Sequence, residues 1–257
     1  MTIDLTIANG VAEITLNNPD RLNAMDASGL ADLDAAYVEA EASGVRALLL
    51  RGEGRAFCAG RDIAGVDPAT DDVAAYLDGT LRPLLRRMAA FPAPTFVAVH
   101  GACLGVGLGL AITTDVVYVA NDARVGSPFG RLGAMLDSGG HALLFERVGA
   151  HRALDLIYTG ELLSGADAVA AGLFSRAVPA TELLEFARSR VRAAAAGPTA
   201  AFVASKRLIA RLRDERLGFW DALYAENSGQ AALRDTADYR EGFAAFTEKR
   251  RAVFEGR

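Results

Sequence analysis

Three short β-rich apolar runs, Val45 to Leu50, Thr95 to Val99 and Val116 to Ala120, are separated from one another by stretches with helical apolar spacing. Strands without a polar face must be covered on both sides, and joining them in parallel needs a crossover of about a dozen residues, usually a helix. The chain is therefore expected to form an α/β fold around a largely parallel sheet. Alternation through Ile3, Leu5 and Ile7, then Val11, Ile14 and Leu16, with Asn9-Gly10 between, predicts a β-hairpin ahead of that sheet. A turn over Pro19 to Met25 leads into a helix carrying Leu30, Leu33, Tyr37 and Val38, which stops at Ser43-Gly44. Gly65 to Asp72 reads as a surface loop. From Ser138 onward strand patterns disappear, and segments 180–196, 198–213, 218–234 and 236–251 read as helices. The C-terminal third is therefore expected to be a helical region.

The 257 residues are 51% hydrophobic and 23% charged, enough to bury a large core. The formal net charge is −5 and the basic residues are scattered, which argues against a nucleic-acid partner. Two cysteines, Cys58 and Cys103, form no disulfide framework, and His100, His141 and His151 lack metal-ligand spacing, so no metal is expected. No apolar stretch suits a bilayer or a leader segment, so no membrane contact and a cytoplasmic location are expected. Ser127 and Ser138 fit no nucleophile motif.

Two loops at strand ends carry the chemistry. Gly101 to Gly109 (GACLGVGLG) follows the strand ending at Val99-His100 and opens an apolar helix, where bare backbone and free amides suit an anionic oxygen. Its spacing is not that of a dinucleotide site. Arg55 to Ile63 (RAFCAGRDI) follows the run Val45 to Leu50 and would expose backbone donors in the same way. Taken singly, either loop also suits plain strand-to-helix packing.

Together they resemble the crotonase (enoyl-CoA hydratase/isomerase) superfamily. The likeness rests on N-P-x-x-x-N-A at Asn18 to Ala24, F-C-A-G-x-D at Phe57 to Asp62, the glycine loop, and D-Y-R-E-G-x-x-A-F-x-x-K-R at Asp238 to Arg250. It implies a crotonase-like spiral of ββα units over 1–195 holding an acyl-CoA site, and a C-terminal helical trimerisation region over 196–257. It further implies a homotrimer or dimer of trimers, with no cofactor beyond the coenzyme A of the substrate. By resemblance, the amides of Arg61 and Val106 are the oxyanion donors. Ala24, Ala59, Asp62, Ile63 and Gly105 line the CoA or substrate site, Arg21 reaches phosphate, and Phe246 and Lys249 reach CoA, often that of a neighbouring subunit.

Hydratases of this family hold water with two glutamates, but here their positions are Gly109 and Phe129, which offer neither acid nor base. Asp137, in Leu132 to Gly140, matches the register of the catalytic Asp of the family's dienoyl-CoA isomerases. With Phe129 and the Asp238 tail motif, it makes the chain look closest to ring 1,2-epoxyphenylacetyl-CoA isomerases of aerobic phenylacetate breakdown. The implied activity is acyl-CoA isomerisation with one Asp as proton carrier, on a 3-enoyl chain or a ring epoxide, and Phe129 would favour aromatic or long apolar acyl groups. A non-catalytic acyl-CoA binder, another enolate reaction and an atypical hydratase are the competing readings, and Asp137 has an alternative role as a helix N-cap.

Overall fold

The computed structural model describes residues 2–257. Its strands are β1 (Thr2–Ala8), β2 (Val11–Asn17), β3 (Ala47–Gly52), β4 (Thr95–Val99), β5 (Ala102–Leu104), β6 (Val116–Ala120), β7 (Arg124–Gly126), β8 (Leu163–Ser164) and β9 (Arg176–Val178). Its helices are α1 (Ala27–Ala42), α2 (Arg82–Ala90), α3 (Val106–Thr113), α4 (Gly140–Thr159), α5 (Gly165–Ala170), α6 (Leu183–Ala195), α7 (Thr199–Asp214), α8 (Phe219–Leu233) and α9 (Ala237–Glu248).

Asn9 and Gly10 both take positive φ, 51° and 73°, and close β1 onto β2 as the expected antiparallel hairpin. From β2 the sheet continues in parallel through β3, β4, β6 and β9. Leu48, Leu49, Leu50, Val97, Val99 and Val119 are fully buried, as runs without a polar face require. Each buried side chain of this size contributes about 1.5–3 kcal/mol. Helix α6 packs on β3, β4 and β6, while α1 packs on β1 and α2. Glu13 on β2 accepts from Arg51 on β3 (2.7 Å) and from both Nε and Nη2 of Arg188 on α6 (2.9 and 2.7 Å), tying helix to sheet.

Four strands were not legible. β5, β7 and β8 form a second small sheet, and β9 extends the main one beyond Ser138, where no strand was expected. Two or three residues cannot display a period of two.

The C-terminal helices begin within a residue to three of the expected positions. Arg46 anchors them, donating to Gly197 O (2.6 Å), Phe254 O (2.9 Å) and Thr199 Oγ1 (3.2 Å). The Asp238 to Gly242 motif folds the tail back: buried Asp238 accepts from the amides of Glu255 (2.7 Å) and Gly256 (2.8 Å), and Glu241 is clamped by Arg250. Helix α8 buries no residue, and Phe219, Trp220, Tyr224, Phe243 and Phe246 stand exposed. Among the described residues no helix is long and apolar enough to cross a membrane, and no group of His, Cys, Asp and Glu could hold a metal.

Candidate active site

Three segments are stitched side by side at the carboxyl ends of β3 and β4. The loop after β3 runs in the middle. On one side it pairs with the β4–β5 segment: Phe57 N donates to His100 O (2.7 Å), Cys58 N to Ala102 O (3.0 Å), and Leu104 N to Cys58 O (3.0 Å). On the other it pairs with the turn after β2: Ala59 N donates to Leu22 O (2.9 Å), Met25 N to Gly60 O (2.8 Å), and Asp62 N to Met25 O (2.9 Å). The crevice beyond the carboxyl ends of parallel strands is where open α/β sheets bind ligands.

Buried Asn23 locks the outer turn. Its side chain donates to Glu53 O (2.9 Å) and Ala56 O (2.8 Å) and accepts from Asn18 N (2.8 Å), while its backbone takes the left-handed φ of 56° that Asn tolerates. The Asn-Ala pair of the motif at 18–24 therefore carries a structural requirement as well as a resemblance.

Pairing with Met25 uses the groups on either side of Arg61, the Gly60 carbonyl and the Asp62 amide, and leaves Arg61 N–H without a protein acceptor among the described residues. Val106, the first residue of α3, is 1% exposed, and its amide likewise has no acceptor. An unmatched amide at a buried residue such as Val106 calls for a partner. The two amides belong together, because Gly60 Cα lies 4.0 Å from the point where Gly105 would carry a β-carbon. Gly105 has φ 50° and ψ −115°, and the ring of Phe129 lies 2.9 Å from that same point, so only glycine fits. Two unmatched backbone donors on neighbouring loops are the kind of group that an oxyanion hole is built from.

A sequence profile of the enoyl-CoA hydratase/isomerase family matches residues 6–257. The chain belongs to this family, the crotonase superfamily. A Rhodobacter capsulatus protein named "Probable enoyl-CoA hydratase" is 37% identical, covering 100% of this chain and 98% of its own. The 1,2-epoxyphenylacetyl-CoA isomerase of Escherichia coli is 34% identical over 98% of this chain and 97% of its own. The crystal structure of an enoyl-CoA hydratase from Bacillus anthracis superposes with a TM-score of 0.91 at 27% identity, covering both chains completely. The crotonase α/β fold with its C-terminal helices is thus established for this chain.

Within the crotonase fold, Gly109 sits on α3, and the 137–138 loop packs directly on it. A β-carbon at Gly109 would meet Ser138 Cβ at 2.5 Å and Ser138 O at 2.8 Å, so no glutamate side chain has room there. Asp137 accepts from the Ser138 hydroxyl at 2.6 Å. It does not cap α4, whose N-cap is Gly139 with no side-chain cap, and the helix-cap alternative for Asp137 is set aside. The carboxylate sits on the loop that packs against α3 at Gly109.

Tyr76, Asp71 and Ser138 were missed by sequence reasoning. Tyr76 hydroxyl donates to Met25 O (3.0 Å), and its burial keeps the phenol protonated well above its ordinary range. Asp71 holds the Arg61 guanidinium with two hydrogen bonds, 2.8 and 2.5 Å. Neither residue belongs to a motif, and both reach Arg61 only because the 62–74 loop folds back.

Of the other expected residues, Arg21 and Asp62 pair with each other at 2.7 Å, at the rim. Ala24 and Ala59 flank the stitched backbone half-buried, and Ile63 is exposed. Phe246 and Lys249 are not brought to these loops. Phe246 lines a separate cleft of about 340 Å³ with Pro198, Leu233, Tyr239, Phe243 and Phe254, and Lys249 is the left-handed C-cap of α9. Cys58 and Cys103 face each other in an isolated bridge, fully buried, and burial pushes the Cys58 thiol up to about 12, so they serve packing. His100 hydrogen-bonds Gly54 O at 2.9 Å, as a packed histidine would.

Proposed function

We propose that this protein is an acyl-CoA isomerase. The thioester oxygen accepts from Arg61 N–H and Val106 N–H, which hold the enolate or dienolate. Asp137 removes the proton alpha or gamma to the thioester and returns it to the other carbon, so one carboxylate serves both steps. The observation that carries this reading is that the Asp137 carboxylate is free of capping duty and lies on the loop that fills the place of a hydratase glutamate at Gly109. The 34% identity to a 1,2-epoxyphenylacetyl-CoA isomerase supports a ring epoxide as the alternative to a 3-enoyl chain as the substrate. A carboxylate left unpaired beside an acyl chain would only weaken a pure binder.

The test is conversion of 3-enoyl-CoA to 2-enoyl-CoA, followed by conjugated thioester absorbance, in wild type and Asp137→Asn, with binding titrations of both. Asp137→Asn is expected to lose about 10²–10⁴-fold in kcat while binding thioester with nearly unchanged affinity. Undiminished turnover in Asp137→Asn, or faster hydration of 2-enoyl-CoA than isomerisation by the wild type, would overturn the assignment.

A homotrimer or dimer of trimers accompanies this reading. It is supported by the exposed aromatic face of α8 and α9 and by the distance of Phe246 and Lys249 from the loops of their own chain.

A further inference from the structure

Arg61 contributes more than its amide. Its guanidinium carbon lies 4.2 Å from the centroid of the Tyr76 ring, and two of its nitrogens are engaged by Asp71. Stacking on one face and a two-point fork on one edge fix both the plane and the rotation of the group. A guanidinium carries five N–H donors. Asp71 takes two, and the others have no protein acceptor among the described residues; the side chain is 22% exposed and its unbonded Nε is open to solvent. Arg61 is also the residue whose unmatched amide is a proposed oxyanion donor, so its side chain leaves the backbone beside the thioester site. An all-hydrocarbon acyl chain packed against the guanidinium would strip water from these donors and offer no acceptor in return.

The geometry points to the Arg61 side chain as a specificity-determining group, donating to a neutral oxygen on the acyl portion of the thioester: a hydroxyl, carbonyl or epoxide. This rests on the acyl-CoA reading above and narrows it. A carboxylate is the wrong partner, because Asp71 already holds the single guanidinium and would repel a second acid. Phe129, packed on Gly105, supplies the apolar counterpart for the carbon skeleton.

The test uses non-reacting saturated thioesters, so that its readout does not depend on turnover. Hexanoyl-CoA, hydroxyhexanoyl-CoA with the hydroxyl at each position from the third carbon to the sixth, and adipoyl-CoA are titrated calorimetrically. In the wild type at least one hydroxylated thioester is expected to bind about tenfold tighter than hexanoyl-CoA, with adipoyl-CoA no tighter than hexanoyl-CoA. Arg61→Met keeps the peptide N–H and the side-chain length, and should bring the hydroxyl preference to about one; Arg61→Lys should retain part of it. Thermal melts of each variant report folding, and Asp71→Asn, which loosens the fork and leaves the Arg61 peptide bond and its main-chain pairing unchanged, should also reduce the preference. No preference in the wild type, a preference that survives in Arg61→Met, or tighter binding of adipoyl-CoA would each overturn the inference. If the hydroxyl preference is found but neither 3-enoyl-CoA nor a ring-epoxide arylacyl-CoA is isomerised, the isomerase reading fails and the specificity assignment stands; if no thioester binds, both fail.

Discussion

Gly109 and Ser138 pack so closely that a β-carbon on Gly109 would sit 2.5 Å from the Ser138 β-carbon. Restoring a glutamate at position 109 is therefore expected to displace the 137–138 loop and abolish isomerisation without creating a hydratase. Gly109→Ala alone should cost about 1–3 kcal/mol through overpacking. Thermal unfolding together with hydration and isomerisation assays of both variants checks this.

The Ser138 hydroxyl donates to Asp137 at 2.6 Å from a residue with φ 55°. Removing it in Ser138→Ala should lower kcat about tenfold with little change in KM, as expected when a group acts on the transition state and not on binding. Ser138→Gly should show the same kcat loss yet a higher melting temperature than Ser138→Ala, since glycine accepts the left-handed backbone. Equal kcat in Ser138→Ala and wild type would show that the hydroxyl only shapes the turn.

Asn23→Ala removes three hydrogen bonds from a fully buried side chain and leaves two carbonyls and one amide unmatched. A loss of about 2–4 kcal/mol in urea unfolding is expected. Because this turn carries the Met25 pairing that orients Arg61, kcat/KM should fall as well.

Acid stability should carry a signature of Glu13. Burial raises its affinity for a proton, but the hydrogen bonds from Arg188 and Arg51 outweigh burial and hold its carboxyl below the ordinary value of 4.5. A lowered folded-state value means that the contribution is complete above the unfolded value and is lost as pH falls through the folded one. Glu13→Gln should therefore be less stable than wild type at neutral pH by about 1–3 kcal/mol, and the gap should narrow below pH 4.5. Denaturation midpoints across that range read it out, and a gap that widens in acid would contradict the sign.

Sedimentation equilibrium should give three or six times the 27.0 kDa chain mass. The double variant Trp220→Glu with Tyr224→Glu, on the exposed face of α8, should dissociate it, since a large uncovered aromatic patch marks an interface. A wild-type monomer would remove the oligomer from the proposal.

The parallel sheet was legible because β3, β4 and β6 are apolar on both faces, and the hairpin because Asn9-Gly10 names its own turn. The stitched loops were legible as glycine-rich segments at strand ends, and their matching to the family named Arg61 and Val106. What the sequence could not display was contact across distance. Asp71 and Tyr76 look like an ordinary loop acid and an ordinary helical aromatic until the chain folds back on Arg61. Ser138 looks like a polar spacer until it is found against Gly109. The short strands β5, β7, β8 and β9 exist only because neighbours already in place offer them hydrogen bonds.

The two unmatched amides are held by main-chain bonds from both flanks, and none of those bonds depends on the side chains at 61 or 129. Under the proposed function, reactivity and selectivity are therefore assigned to separable parts of the molecule. A substitution at Arg61 or Phe129 can redirect which acyl group enters while the electrophile-activating element stays in register, which makes these two positions the natural starting points for retargeting the enzyme to a different thioester.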